Sequence, residues 1–166
     1  MEFQKLKFED LEFVYIVRKQ SAEYLHDPTI YSYEEVINWF NRISKDPSVV
    51  WYIIIHEGQK IGYIRTNLLK YNRLFIGMDL HEEYRGKGTG QLAYREFINY
   101  LYKVLPLNDL WLKVLKTNTR AIHIYEKLGF KKIEEEIIDR ANRKEESITY
   151  KLTKNTWYDI QSKMTG

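Results

Sequence analysis

Three apolar runs follow one another with almost nothing between them. They read "VVWYIIIH" (49–56), "IGYIRTNLL" (61–69) and "LFIGMDLH" (74–81), separated only by "EGQK" and "KYNR". β-Branched and aromatic residues fill all three, which fits pleated strands, and linkers this short can join only antiparallel neighbours. The middle of the chain is therefore a β-meander, and everything else must be placed around it. Its third strand runs into "EYRGKGTGQ" (83–91), with three glycines in five positions beside Arg85 and Lys87.

The flanks supply further elements. "FQKLKF" (3–8) alternates apolar and polar residues and reads as a first strand. Leu11, Val14, the Arg18 stem, Ala22 and Leu25 recur at helical spacing until His26-Asp27-Pro28 stops the helix. Ser32 followed by Glu35 is a capping box for a second helix, with Val36, Trp39, Phe40 and Ile43 as its apolar stripe. After the glycine loop, Leu92 to Leu105 is helical and ends at Pro106. "LWLKVL" (110–115) is a buried strand, and "NTRAIHIYEKL" (118–128) a helix closed by Gly129. "FKKIEEEIID" and "ESITYKLT" form a last strand pair around "RANRK", and "NTWYDIQSKMTG" trails behind as a tail. With no repeat, low-complexity tract or glycine-serine linker, residues 1–166 form one domain. The fold class is α/β (α+β): a mixed, mainly antiparallel sheet of six to seven strands with helices on both faces.

Composition narrows the function. At 44% hydrophobic and 30% charged, the chain is an ordinary globular protein of a size that buries one sizeable core. Its net charge of +3, from 26 basic and 23 acidic residues, is scattered and argues against nucleic acid as a partner. Cysteine is absent, which excludes disulfides, thiolate metal sites and a thiol nucleophile. No His/Asp/Glu grouping has metal-ligand spacing, so no metal is expected. The polar start "MEFQKLKFEDLE" is unlike a signal peptide, and no apolar run approaches a membrane span of about 20 residues. A soluble, cytoplasmic protein without membrane contact is the expectation.

Glycines at 86, 88 and 90 let a backbone wrap an anion that a Cβ would keep away. The helix beginning near Gly88 aims its free amides and its positive dipole end at the same place. Arg85 and Lys87 are expected to add charge at the mouth, so the ligand should carry phosphate. The P-loop string is missing. The dinucleotide pattern G-x-G-x-x-A is met by Gly88, Gly90 and Ala93, yet "HEEYRGK" separates it from the strand. Asp109 also precedes the next strand, whereas that fingerprint puts its acid at a strand end. A ligand-free turn stays open for the loop on its own.

A second motif changes the weighing. Arg85, Gly88 and Gly90 after a strand, then Asn118, Ala121, Tyr125 and Leu128-Gly129-Phe130, resemble the GNAT superfamily of acetyl-CoA-dependent N-acetyltransferases. The resemblance runs over roughly residues 3 to 153. It implies acetyl-CoA as co-substrate, with its diphosphate in the loop Arg85, Gly86, Lys87, Gly88, Thr89 and Gly90. The pantetheine arm would lie along the backbone of Asp79, Leu80 and His81, with Asn118 bonded to the same arm. Tyr125 is implied as the general acid that protonates the departing thiolate. The implied activity is acetyl transfer to a primary amine by direct attack in a ternary complex.

The attacking amine must be neutral, and at a pKa of about 10.4 it is so only on the order of once per few thousand molecules at pH 7. Many relatives place a glutamate five residues before the asparagine; Lys113 stands there in this chain. The candidate bases are then Asp79 and His81. His56 and His123 read as surface residues. Acceptor choice in the family lies in the first two helices and their connection, here "HDPTIYSYEE", where Tyr31 and Tyr33 could line a pocket. The resemblance is to the branch with ribosomal-protein N-terminal, spermidine and amino-sugar acetyltransferases. The leading expectation for the acceptor is a small molecule such as a nucleotide-linked amino sugar. The alternatives are a protein N-terminus, a polyamine, or a non-catalytic module that senses acyl-CoA. A homodimer through the C-terminal strands or the tail is an arrangement the family allows.

Overall fold

A computed structural model describes residues 1–166. Seven strands form one sheet: β1 (Glu2–Lys5), β2 (Val49–His56), β3 (Gln59–Leu69), β4 (Arg73–Leu80), β5 (Asp109–Leu115), β6 (Lys131–Arg140) and β7 (Arg143–Thr153), in the order β1-β2-β3-β4-β5-β7-β6. Every neighbouring pair is antiparallel except β4–β5. The meander of the sequence is β2-β3-β4. Its first turn is tighter than expected, with β3 already starting at Gln59.

Five helices cover the sheet: α1 (Leu11–Ser21), α2 (Tyr33–Ile43), α3 (Thr89–Val104), α4 (Thr119–Lys127) and α5 (Lys154–Thr165). Adjacent strand residues divide between the two faces, as the pleat requires. Ile53 and Tyr63 pack with Val14 and Val17 of α1. Ile54 and Ile64 join the larger core with Ala93, Phe97 and Leu101 of α3, Tyr125 of α4 with Leu128 just past its end, and Trp157 of α5. The Ser32–Glu35 capping box is present, with Glu35 N–H donating to Ser32 Oγ at 3.2 Å and Ser32 N–H to Glu35 Oε2 at 2.6 Å.

Three local readings change. The first strand stops at Lys5, and Phe8 begins a 3₁₀ turn with its ring exposed. The first helix tightens into 3₁₀ geometry over Ala22–Tyr24, so its α-helical part ends at Ser21. The tail is helix α5, capped by the Thr153 hydroxyl on Thr156 N–H at 3.2 Å. Trp157 is fully buried, and its indole N–H donates to Asn99 Oδ1 at 2.8 Å. No helix is long and apolar enough to cross a membrane.

The junction of β4 and β5 positions the site. Their only register pair is Phe75 with Trp111, near the start of both strands. Beyond it the strands part, and their carboxyl ends open a gap in the middle of the sheet.

Candidate active site

The gap leads into a cleft of about 430 Å³ between β4, the glycine loop, α3 and α4. Asp79, Leu80, Arg85, Gly86, Gly88, Gly90, Asn118 and Tyr125 all line it, so the two motifs of the sequence meet there. Gly86 and Gly88 both have φ of +78°, the left-handed region that glycine enters without cost. A Cβ on Gly86 would also lie 2.8 Å from Arg120 Nη2. Gly88 caps α3, and the first bond inside that helix is Leu92 N–H to Gly88 C=O at 3.1 Å. The amides of Thr89, Gly90 and Gln91 precede that bond and are free to point at an anion. Lys87 is exposed beside them.

Arg85 lines the cleft with its guanidinium bonded within the protein. Its guanidinium donates to Leu80 C=O at 2.9 Å, Gln20 C=O at 3.2 Å and Ser21 Oγ at 3.0 Å. All its directed bonds go to protein groups, so it ties the loop to β4 and α1. The cation over the loop is Arg120, in the first turn of α4, a residue the sequence reading passed over. His123, expected on the surface, also borders the cleft. The signal for both was available: α4 exposes one flank to the glycine loop, and residues 120, 123 and 124 share it.

Along β4 the exposed backbone is set by register. His81 N–H donates to Ile61 C=O at 2.9 Å, which turns the odd-numbered amides of the strand toward β3. The even-numbered ones, of Met78 and Leu80, turn toward the gap. An extended ligand arm would pair there, at Leu80 within the expected stretch Asp79 to His81 and at Met78 just before it. Asn118 caps α4 through Oδ1, which accepts from Ala121 N–H at 3.2 Å, and its amide NH₂ is left for a ligand.

Tyr125 is buried at the base of the gap, with its hydroxyl 3.1 Å from that of Tyr94 and the rings perpendicular. Burial pushes the Tyr125 phenol up to about 12; the hydrogen bond from Tyr94 and nearby Arg65 lower it, and Asp79 raises it. Asp79 Oδ2 lies 3.4 Å from Arg65 Nη1. The buried hydroxyl of Tyr63, whose strand position faces Asp79, has no hydrogen-bond partner. His81 follows the strand and lies outside the cleft lining, its ring stacked on Phe13 at 6.2 Å and its Nε2 3.2 Å from the Gln20 amide. Of the two candidate bases, the cleft contains Asp79.

On the α1–α2 side lies a second cavity of about 460 Å³, lined by Asp27, Tyr31, Glu35, Trp39 and Trp51 among others. Tyr31 O–H donates to Asp27 Oδ2 at 2.6 Å, and the Arg18 guanidinium sits over its ring at 5.3 Å. Burial opposes the charge on Asp27, but bonds from Thr29 and Tyr31 and the nearby Arg18 hold its carboxyl below the usual range. Tyr33 does not reach this cavity; it is half-exposed against Tyr15. Lys113 pairs with Glu136 at 3.0 Å on the sheet surface.

A family model described as "Acetyltransferase (GNAT) domain" matches residues 1–131. The chain belongs to the GNAT acetyltransferase family. Its relatives include the spermidine N(1)-acetyltransferase of Escherichia coli (strain K12), 28% identical over 134 residues, covering 78% of this chain and 72% of that one. Another is acetyltransferase PseH of Campylobacter jejuni, 24% identical, covering 77% and 81%. Among solved structures, spermidine N-acetyltransferase from Vibrio cholerae in complex with CoA and spermine superposes with a TM-score of 0.85 at 18% identity, covering 95% and 97%. A ribosomal-protein-alanine N-acetyltransferase from Brucella melitensis gives 0.76 at 15% identity, covering 92% and 99%.

As a GNAT enzyme the chain is an acyltransferase that uses acetyl-CoA. The cleft fits that donor by its own geometry: two left-handed glycines, three free helix amides and a cation at one end, a splayed strand edge at the other.

Proposed function

We propose that this enzyme transfers acetyl from acetyl-CoA to a primary amine of a polyamine such as spermidine. The relatives named spermidine N-acetyltransferase, in both sequence and structure, favour this acceptor over the amino sugar that the sequence reading put first. The observation that carries it is the line of side chains joining the two cavities. Trp51 borders the α1–α2 cavity, Arg65 sits over its ring at 5.4 Å, and Arg65 meets Asp79 in the cleft. A long flexible cation lying in the cavity meets the carboxylates Asp27 and Glu35 and the indole of Trp39, which attract ammonium groups, and it competes there with Arg18 and Arg42 for the two carboxylates. Its terminal amine then reaches the gap beside Asp79.

Acetyl-CoA supplies the thioester, and this chain holds and protonates the reactants. The glycine loop and α3 amides hold the diphosphate, with Arg120 alongside. The Met78 and Leu80 amides face the arm and bring the thioester to Tyr125. Asp79 accepts a proton from the incoming ammonium, and Tyr125 gives one to the leaving sulfur; catalysis then rests on positioning plus these two transfers.

The test is release of free CoA with a panel of spermidine, spermine, amino sugars and an alanine-terminated peptide. The expected result is kcat/KM at least tenfold higher for the polyamines. Turnover with the sugars or the peptide alone would reject the acceptor, and no release with any amine, despite CoA binding, would favour a sensing module.

A further inference from the structure

Two phenols share one hydrogen bond at the base of the gap, and the sharing has a direction. Tyr94 projects from α3 and Tyr125 from α4, with oxygens 3.1 Å apart and ring centroids 5.4 Å apart at 88°. Neither hydroxyl has another partner in the protein. Either oxygen could in principle accept. If Tyr125 donated, the Tyr94 proton would have no acceptor in a site where the residue is only 2% exposed. Both tyrosines line the cleft, but Tyr125, at 8% exposed, is the more open of the two, and an unpaired donor costs more the deeper it is buried. The favoured arrangement has Tyr94 donating and Tyr125 accepting.

We propose that Tyr94 is a positioning residue for the acid step, donating to Tyr125 so that the Tyr125 proton is aimed at the cleft and the phenolate it leaves behind is stabilised. This rests on the reading of Tyr125 as the general acid. In the step, the C–N bond forms as the C–S bond breaks, and the sulfur takes the Tyr125 proton. The ammonium gives its first proton to Asp79, which releases it to solvent. The second, lost as the amide forms, returns through solvent to the phenolate, so the pair ends as it began. Without Tyr94, a buried Tyr125 phenolate would have no donor facing it. The other groups around Tyr125 are Asp79 on β4, which opposes ionisation, Arg65 on β3, which favours it, and Tyr150 on β7, its ring 6.4 Å away and its hydroxyl engaged with Glu126. Among these, only Tyr94 reaches the Tyr125 oxygen.

The experiment uses the full chain with 3-fluorotyrosine introduced at position 125 and followed by ¹⁹F NMR over a pH titration, with Tyr94→Phe as the variant. The substitution keeps the ring and removes one oxygen. The expected result is a higher ionisation pH for the position-125 phenol. In the unlabelled enzyme, kcat should fall on the order of tenfold with both KM values within about twofold. Tyr94→Phe combined with Tyr125→Phe should be no slower than Tyr125→Phe alone. An unmoved titration and unchanged kcat in Tyr94→Phe would overturn the inference. Unchanged kcat in Tyr125→Phe would instead overturn the general-acid reading beneath it, and the titration shift would still report whether the hydrogen bond has the stated direction.

Discussion

Arg65 Nη1 stands 3.4 Å from Asp79 Oδ2 across the β3–β4 pair, and this contact lies between the α1–α2 cavity and the cleft. The guanidinium fits because position 77 is glycine; a Cβ there would lie 2.8 Å from Arg65 Cζ. Strand pairing places Gly77 opposite Arg65 and Tyr63 opposite Asp79, so the constellation is a direct consequence of register. Shifting β4 by one residue would send Asp79 to the other face of the sheet.

Asp79→Asn tests the carboxylate as the proton acceptor. At pH 7 the expected loss in kcat/KM is on the order of a hundredfold, the scale of a general base. The ratio of wild type to variant should narrow as the pH approaches about 10.4, where the amine arrives neutral and needs no base. A pH–rate profile with a saturating polyamine measures it. A ratio constant across that range would assign Asp79 to holding Arg65 and nothing more.

Arg85 and Arg120 both border the glycine loop, and two variants test which of them serves the cofactor. Arg85→Lys keeps the charge but cannot make all three of the guanidinium's bonds to Leu80, Gln20 and Ser21. It should lower stability by about 2 kcal/mol in urea melts, the scale of a charge-assisted hydrogen bond. Arg120→Met removes a cation beside the loop while the α4 cap at Asn118 stays in place. It should weaken CoA binding about tenfold with the melting temperature unchanged. Calorimetric binding and thermal melts on the two variants separate the roles.

These cases also mark how far the sequence could be read. The meander and the glycine loop were legible because each depends on local periodicity or local backbone conformation, whereas Asn118 and Tyr125 stood out through the family resemblance. Helix α5 was not: only Trp157 on it is buried, and one large side chain makes no stripe. Arg85 beside glycines looks like a phosphate ligand in one dimension, and its direction depends on where the end of α1 sits. His81 alternates with Asp79 on paper, but the strand ends at Leu80 and the ring turns to Phe13 instead. Tyr94 carried no local mark, since its partner lies on another helix.

His26 is exposed, and it should make stability depend weakly on pH. Its Nε2 lies 2.7 Å from the buried Ser147 Oγ. Desolvation of the ring there, together with Lys113, Arg65 and Arg140, lowers its pKa from 6.5; Glu136 opposes them. Above pH 6.5 the ring is neutral both folded and unfolded, and it adds no slope. Below 6.5 the unfolded chain takes the proton first, so folding stability falls until the lower folded value is passed. Urea melts at intervals from about pH 7.5 to 5 should show wild type losing stability faster than His26→Gln. Parallel curves would contradict this.

Arg140 anchors the last hairpin to the end of α1. It ends β6 with its side chain 6% exposed, donating to Leu25 C=O at 2.7 Å, Ala22 C=O at 2.9 Å and Glu23 C=O at 2.7 Å. Its remaining nitrogen meets Glu145 Oε2 at 3.0 Å. Those three carbonyls belong to the turn where α1 tightens and the chain enters the connection to α2, so the bonds fix where that connection begins. Arg140→Met fills similar volume but leaves the carbonyls and Glu145 without their donor. The expected cost is about 3 kcal/mol, within the range for breaking a buried charge network. At this chain length that corresponds to a melting temperature lower by roughly 6 to 12 °C. Because the turn leads to Asp27 and Tyr31, the variant should also raise KM for the polyamine while KM for acetyl-CoA stays near wild type. Steady-state kinetics below the new melting point check that split, and an equal rise in both constants would place the damage in the whole fold.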